Sequence, residues 1–567
     1  MTSLVHHSPI SSVAVHGSRW ATGGYDNRIL LWQESRPGMQ AIGHGTHDHL
    51  VNHVEFSPDG AWLVSASSDG TARIWRLPDL RLTAVLADHD DDVDMACFSP
   101  DGERIATCAL DRAVRVFDRQ GRCLQTFRGH QGNILAVAWR PDGQHLVSCG
   151  VDGTVREWSL PLGQQVACHT LGVRTDTLVM DVDGRILAGD DEGRIALLDG
   201  ERTQFTQAHR AGIKKLVYCP QRQVVATLSY DREIAIWQRR PDGALHELRR
   251  TLQPAVIWAR AAAVLPDGRL LVGTFGSRPA IYDWVHDGWT SDPLGADSGL
   301  NAVACHRGHV YAVGDAGLVT ADGHASGAMG SLCNFLASAG AYLYTGGQLG
   351  QVFDAASGTV LHQHHSPLNC AVALVHQSRP HLAVGTYTGE ILIFEQAADG
   401  RLSLHTTLAV HANAVKGLCV QSGRLFSVCA NTAVAWHDLD TLALIGLRER
   451  MHDKIANACC PAGPGLVASV ARDRYLRLWA ADGDLTAPAQ AYLSPHQHSI
   501  KSLSVSADQR WLATGSYGGT VAWFDLTRRA WTRFEHVSTA GIAALAFDPA
   551  RSTFLAAAYD GELHVLS

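Results

Sequence analysis

A segment of about forty residues recurs along this chain. Its clearest copy, His47 to Trp75, reads HDHLVNHVEFSPDGAWLVSASSDGTARIW. An apolar strand leads into a Ser-Pro-Asp-Gly turn, a second strand, a Ser-Asp-Gly turn and a third strand ending in Trp. Related copies end at Trp32, Phe117, Trp158, Trp237, Trp479 and Phe524. A unit this short gains a core only by stacking on its neighbours. Fourteen such segments fit in the 567 residues, the weakest at 168–199, 251–284, 294–323, 328–354 and 362–395. Closed rings hold about four to eight blades. The count therefore predicts an all-β chain of two seven-bladed β-propellers in tandem, residues 1–285 and 286–567, with degenerate blades at 251–395. The turn-rich stretch HDGWTSDPLG suits the linker between them.

Composition fits a globular chain, with 18% charged and 46% apolar residues, a net charge of −8 and no long apolar run. The opening MTSLVHHSP has no basic start and no apolar core, so no secretory signal is expected. Thirteen cysteines show no paired spacing and mostly fall in strands, which favours buried thiols in a reducing compartment; the adjacent Cys459 and Cys460 read the same way. A cytoplasmic location follows as the expectation. Arg supplies 42 of the 47 basic side chains and Lys only five. With abundant Ala and Gly, that bias suggests a bacterial source.

The repeat resembles the WD40 repeat over essentially the whole chain. In that family a His before the first strand, a Ser or Thr on the second, an Asp in the next turn and a Trp on the third form a buried hydrogen-bond chain. The resemblance implies complete sets at His47, Ser65, Asp69 and Trp75; at His130, Ser148, Asp152 and Trp158; and at His209, Thr227, Asp231 and Trp237. His452, Ser469, Asp473 and Trp479 make a fourth, and His6, Thr22, Asp26 and Trp32 a fifth. The set of His89, Thr107 and Asp111 ends in Phe117 and lacks the indole donor. Later blades depart further. Thr388, Asn431 and Gly518 replace the Asp, Leu566 replaces the Trp, and Trp436 falls one position early. The resemblance also implies that a strand from elsewhere in the chain completes the last blade of each ring. Residues 1–6 would close the first ring and 285–293 the second, or residues 1–6 the final blade.

Propellers of this family bind on the face formed by loops leading into the first strands. All five lysines lie where a first strand begins: Lys214 and Lys215, Lys416, Lys454 and Lys501. Asn301 and Asn369 share that register. Compact cations there suit a partner's carboxylates or phosphates, though a local packing fit would place them equally. The first ring carries the opposite charge in DHDDDVD, with Asp90, Asp91 and Asp92 between Asp88 and Asp94. Solvated loop, basic partner and divalent ion are the readings of that run, in decreasing order of expectation. The histidine groups His44, His47, His49 and His53; His362, His364 and His365; and His496 and His498 lack metal-ligand spacing. No metal site or cofactor is expected.

No nucleophile elbow or phosphate loop is present, and the His, Asp and Ser sets read as blade cement rather than triads. The leading expectation is therefore a non-enzymatic interaction scaffold or recognition subunit that binds a protein or peptide partner on a propeller face. One alternative is an enzyme subunit with a site in the divergent middle blades, near His309 and His324. Another is nucleic-acid recognition by the lysine rim, which the negative net charge and the lack of a long Arg stripe disfavour.

Overall fold

The computed structural model describes residues 6, 9–35, 38–200, 202–240, 244–254, 259–274, 279–290, 299–482 and 489–566. Fourteen antiparallel sheets follow one another along the chain. Thirteen are four-stranded meanders, and the last has three strands among the described residues. This is the all-β, two-propeller fold, with WD40-type blades. Blade 2 shows why the sequence folds this way. Its strands are Val51–Phe56, Trp62–Ser67, Ala72–Arg76 and Arg81–Leu86. The first turn closes because Gly60 takes φ 65° and its N–H donates to the Ser57 carbonyl at 2.8 Å. The second strand is buried almost throughout, since both of its faces meet neighbours. The outer strand alternates exposed and buried residues, as a half-covered strand must.

Each core lies between consecutive blades. Val64, Ile74 and Leu86 of blade 2 pack against Val93, Ile105 and Phe117 of blade 3, for example. Two compact units result, Met1–Pro293 and Leu294–Ser567. In the first, Ile10 and Val13 of blade 1 meet Ala261, Leu265 and Leu271 of blade 7, which closes the ring. In the second, Val303 and Val310 of blade 8 meet Leu555 and Ala557 of blade 14. The division falls later than 285/286 for a visible reason. Gly288–Thr290 pairs with Ala280–Asp283 as the fourth strand of blade 7, and Trp289 stacks on Tyr282 at 4.7 Å. Part of the segment expected to close the second ring therefore completes the first. Residues 1–5, expected to supply a closing strand, lie outside the described residues.

The implied hydrogen-bond chains are present in all five complete sets. In blade 2 the Trp75 indole donates to Ser65 Oγ at 2.8 Å, Ser65 Oγ meets His47 Nε2 at 2.7 Å, and His47 Nδ1 meets Asp69 at 2.8 Å. Blade 4 repeats this with 2.8, 2.8 and 2.9 Å. The sets at His6, His209 and His452 follow the same geometry. Blade 3 keeps His89, Thr107 and Asp111 at 2.7 and 3.0 Å, with Phe117 buried where the indole would be. In blade 11 His411 reaches Ser427 at 2.9 Å, but His437 occupies the register position of the Trp and the Trp436 indole is buried without a partner.

Candidate functional site

One backbone irregularity organises the site. Pairing of the first and second strands slips at the second residue of the first strand, or its equivalent, in all fourteen blades. A bulge leaves one residue unpaired and re-aims its side chain. In the first unit those residues include Ser11, Asn52, Asp94, Asp176, Lys214 and Arg260, with Leu135 in blade 4. All of them line one cavity of about 120 Å³, which is the mouth of the channel. The cavity also holds His53 and Lys215. Lys214 is thus a channel residue rather than a rim residue, and Lys416, Lys501, Asn301 and Asn369 occupy the same register in the second unit. Lys454 does not join them, because it sits in the loop before Ala456.

The first channel neutralises itself. Lys214 Nζ donates to Asp176 at 3.1 Å, and Arg174 Nε donates to the same carboxylate at 2.7 Å. Burial alone would raise the Asp176 pKa, but these two cations hold it below the usual carboxylate value. Asp94 lacks so close a partner; burial and the neighbouring Asp92 push it up to about 7. Glu55 is likewise pushed to about 7 by burial, while burial lowers Lys215, which it faces electrostatically. The acidic run continues outward from this mouth. Asp90 is exposed, Asp91 and Asp92 are half-buried, and the Asp92 N–H donates to Asp91 Oδ1 at 2.8 Å.

The second channel is built from the same positions with different residues. Asn301, Asn334 and Asn457 each donate through Nδ2 to the carbonyl of the residue opening the next blade's first strand, at 3.1, 2.7 and 2.7 Å. These bonds stitch adjacent blades around the pore. Asn301 also donates to Asp315 at 2.9 Å, a carboxyl pushed by burial to about 7. Two positions carry lysine. Lys416 Nζ donates to Asn369 Oδ1 at 3.4 Å and lies 5.3 Å from the centre of the Tyr387 ring. Burial lowers its pKa to about 7, and the charges that act on it next most strongly are Lys501 and Arg472, both cations. Lys214 has a carboxylate; Lys416 has two like charges.

Sequence reasoning missed Asn334, Asn457 and Arg260, and did not place Arg472 at the channel. An Asn recurring one residue inside a first strand, as at Asn52, Asn301 and Asn369, was the available signal. His309 and His324 form no constellation with each other: His309 makes an exposed pair with Asp322 at 2.6 Å, and His324 lies exposed at the start of an outer strand. All thirteen cysteines are free thiols. Among the described residues, no helix is long and apolar enough to cross a membrane.

The comparisons with known proteins agree with this geometry. The family model described as "WD domain, G-beta repeat" matches residues 1–33, 39–76, 80–118, 121–159 and 489–525, which are blades 1–4 and 13. The chain thus contains WD40 repeats. It is similar to Protein HIRA of Dictyostelium discoideum, 31% identical over 20% of this chain and 13% of that protein. It is also similar to a ribosome biogenesis protein WDR12 homolog of Drosophila persimilis, 30% identical over 21% of this chain and 29% of the relative. A third similarity is to the transcriptional corepressor LEUNIG_HOMOLOG of Arabidopsis thaliana, 24% identical over 34% of this chain and 25% of the relative. The matches thus span under a third of each of these relatives. All three organisms are eukaryotes, so the comparisons lend no support to the bacterial source suggested by the Arg bias.

Proposed function

We propose that this chain is a non-enzymatic recognition subunit of a multi-protein complex, and that a protein partner docks on the channel mouth of its second propeller through an acidic segment. The observation that carries this reading is that Lys416 and Lys501 share the bulged channel position of the second ring, and that Lys501 and Arg472 both act on the buried Lys416 as like charges. A carboxylate or phosphate entering there relieves that repulsion, and a rigid ring has already met the ordering cost of assembling the cations. Relatives named for ribosome biogenesis and transcriptional corepression fit work inside assemblies. The first channel, filled by its own ion pairs, is the poorer docking site. Thirteen free thiols favour a cytoplasmic or other reducing compartment.

The test uses the full chain and a Lys416→Glu, Lys501→Glu double variant. Proteins retained by each from an extract of the native host are compared by quantitative mass spectrometry. The double variant should lose the specific partners while its melting temperature stays within a few degrees, since the changes remove a repulsion. Equal retention by a folded double variant refutes the docking site. Loss of bound nucleic acid instead of protein would transfer the mouth to the nucleic-acid reading.

A further inference from the structure

Blade 10 gathers ionisable side chains from all four of its strands at one end. His376 ends the first strand, His381 lies in the second, Glu395 in the third and His405 in the fourth. The three imidazole rings pack mutually, with centroids 5.3, 5.4 and 5.5 Å apart. His381 sits directly opposite Glu395 in the strand register. The pairing of the third and fourth strands slips at Phe394, and His405 is the extra residue. A bulge of this kind re-aims a side chain. One donor atom each from His381, Glu395 and His405 lie within 4.8 Å of one another.

Hydrogen bonding fixes which nitrogen of His381 is available. Its Nδ1 lies 3.0 Å from the Arg379 carbonyl, which can only accept, so Nδ1 carries the proton. In the neutral ring Nε2 then holds a lone pair. His381 is only 2% exposed, and its Nε2 is buried with no hydrogen-bond partner. An orphaned acceptor at that depth needs an explanation. Burial, reinforced by His376 and His405, lowers the His381 pKa and keeps the ring in its ligating form. His376 is held in the same tautomer by a 2.6 Å bond from Nδ1 to the Leu439 carbonyl. A backbone carbonyl on one nitrogen of an imidazole is the usual second-shell arrangement for a metal ligand. Arg379 Nη1 donates to Glu395 Oε1 at 2.6 Å, and the other carboxylate oxygen remains for coordination.

We propose that His381 Nε2, Glu395 and His405 form a binding site for a Zn²⁺-class divalent transition-metal ion, which clips together the second, third and fourth strands of blade 10. Two imidazoles and a carboxylate suit Zn²⁺, and the fourth tetrahedral position is left to solvent. Bonds of about 2 Å require donors closer together than those found, and rotation of the exposed His405 and half-buried Glu395 side chains supplies the difference. The soft-to-borderline nitrogen donors select against Mg²⁺ and Ca²⁺.

The test strips the full chain with a chelator and titrates it with Co²⁺ as a spectroscopic probe, then with Zn²⁺. One equivalent of Co²⁺ should produce tetrahedral visible absorption that Zn²⁺ abolishes, and Zn²⁺ should raise the melting temperature of the wild-type chain. His405→Ala and Glu395→Gln alter residues that are not deeply buried, so the metal-free variants should melt as the wild type does. Each should weaken binding by at least about tenfold. Absence of stoichiometric binding overturns the proposal, as does binding that survives both substitutions. Binding lost only on His364→Ala overturns it too, and assigns the ion to the separate group of His364, His365 and Glu390.

Discussion

The Asp69→Ala variant should unfold its propeller about 3 kcal/mol more easily than the wild-type chain, in the range expected for breaking one member of a buried polar pair. Five hydrogen bonds explain the size. Asp69 accepts from His47 Nδ1 at 2.8 Å, the Asp48 N–H at 3.0 Å, the Thr71 N–H at 2.9 Å, the Thr71 hydroxyl at 2.6 Å and Arg73 at 3.3 Å. Without the carboxylate, the His47 Nδ1 proton loses its acceptor while Nε2 stays bonded to Ser65, and a buried orphan donor carries its full desolvation cost. For a domain of this size the transition should fall by roughly 5 °C. Thr388→Ala is the control. Thr388 occupies the same turn of blade 10, but it meets only Thr386 and the Glu390 carboxylate, at 3.0 and 2.7 Å. That change should stay within about 0.5 kcal/mol, as partly exposed substitutions do. Calorimetry or urea unfolding of the two variants checks the contrast. Similar losses in both would mean that the His–Asp chains are incidental to blade stability.

The contrast marks what the sequence could reveal. Blades with complete sets were legible because four residue types recur at fixed spacing, and the residues of all five sets were placed correctly. Blade 11 shows the boundary of that method: moving Trp436 by one residue puts His437 in its register, and spacing alone does not reveal the swap. Ring closure was misread for a related reason. Gly288–Thr290 is only three residues long and carries little apolar pattern, so it looked like linker. The lysines were found, but their setting was not. Their repeat position was visible in the sequence, whereas the bulge that turns Lys214 into the channel is a property of pairing. Electrostatic context follows from geometry too: Asp176 is 38 residues from Lys214 and decides its state. The three histidines and the glutamate of blade 10 belong to four strands and become neighbours only once the register is known.

Acidification from pH 7 to about 4.5 should open the second propeller before the first. Burial lowers His411 and His437 to about 4 and His496 to about 3. Such a group binds its proton more readily when unfolded, at about pH 6.5. Its contribution to stability is therefore complete above that pH and is lost as pH falls toward the folded value. Each such histidine removes on the order of 1.4 kcal/mol per pH unit across that window. Among the described residues of the first unit, burial and Lys215 lower His53 to about 3, and burial also lowers His47 and His130. Among its described residues that unit also has three carboxyls of opposite sign. Glu55 and Asp94, raised to about 7, and Asp191, raised by burial to about 6, keep their protons in the folded state to higher pH than in the unfolded chain, so their contribution grows as pH falls from 7 toward 4. The second unit has only Asp315 in this class among the described residues. The lock aspartates do not blur the order. Asp69 and Asp473 are held below the ordinary carboxylate value because their bonds to His47 and His452 outweigh burial, so their stabilisation is lost only below about pH 4. Hydrogen exchange of the full chain, corrected for the intrinsic pH dependence, should show peptides from 300–566 losing protection near pH 5 while those from 10–290 keep theirs. Simultaneous loss, or earlier loss in the first unit, would show that buried histidines do not set the acid limit of this fold.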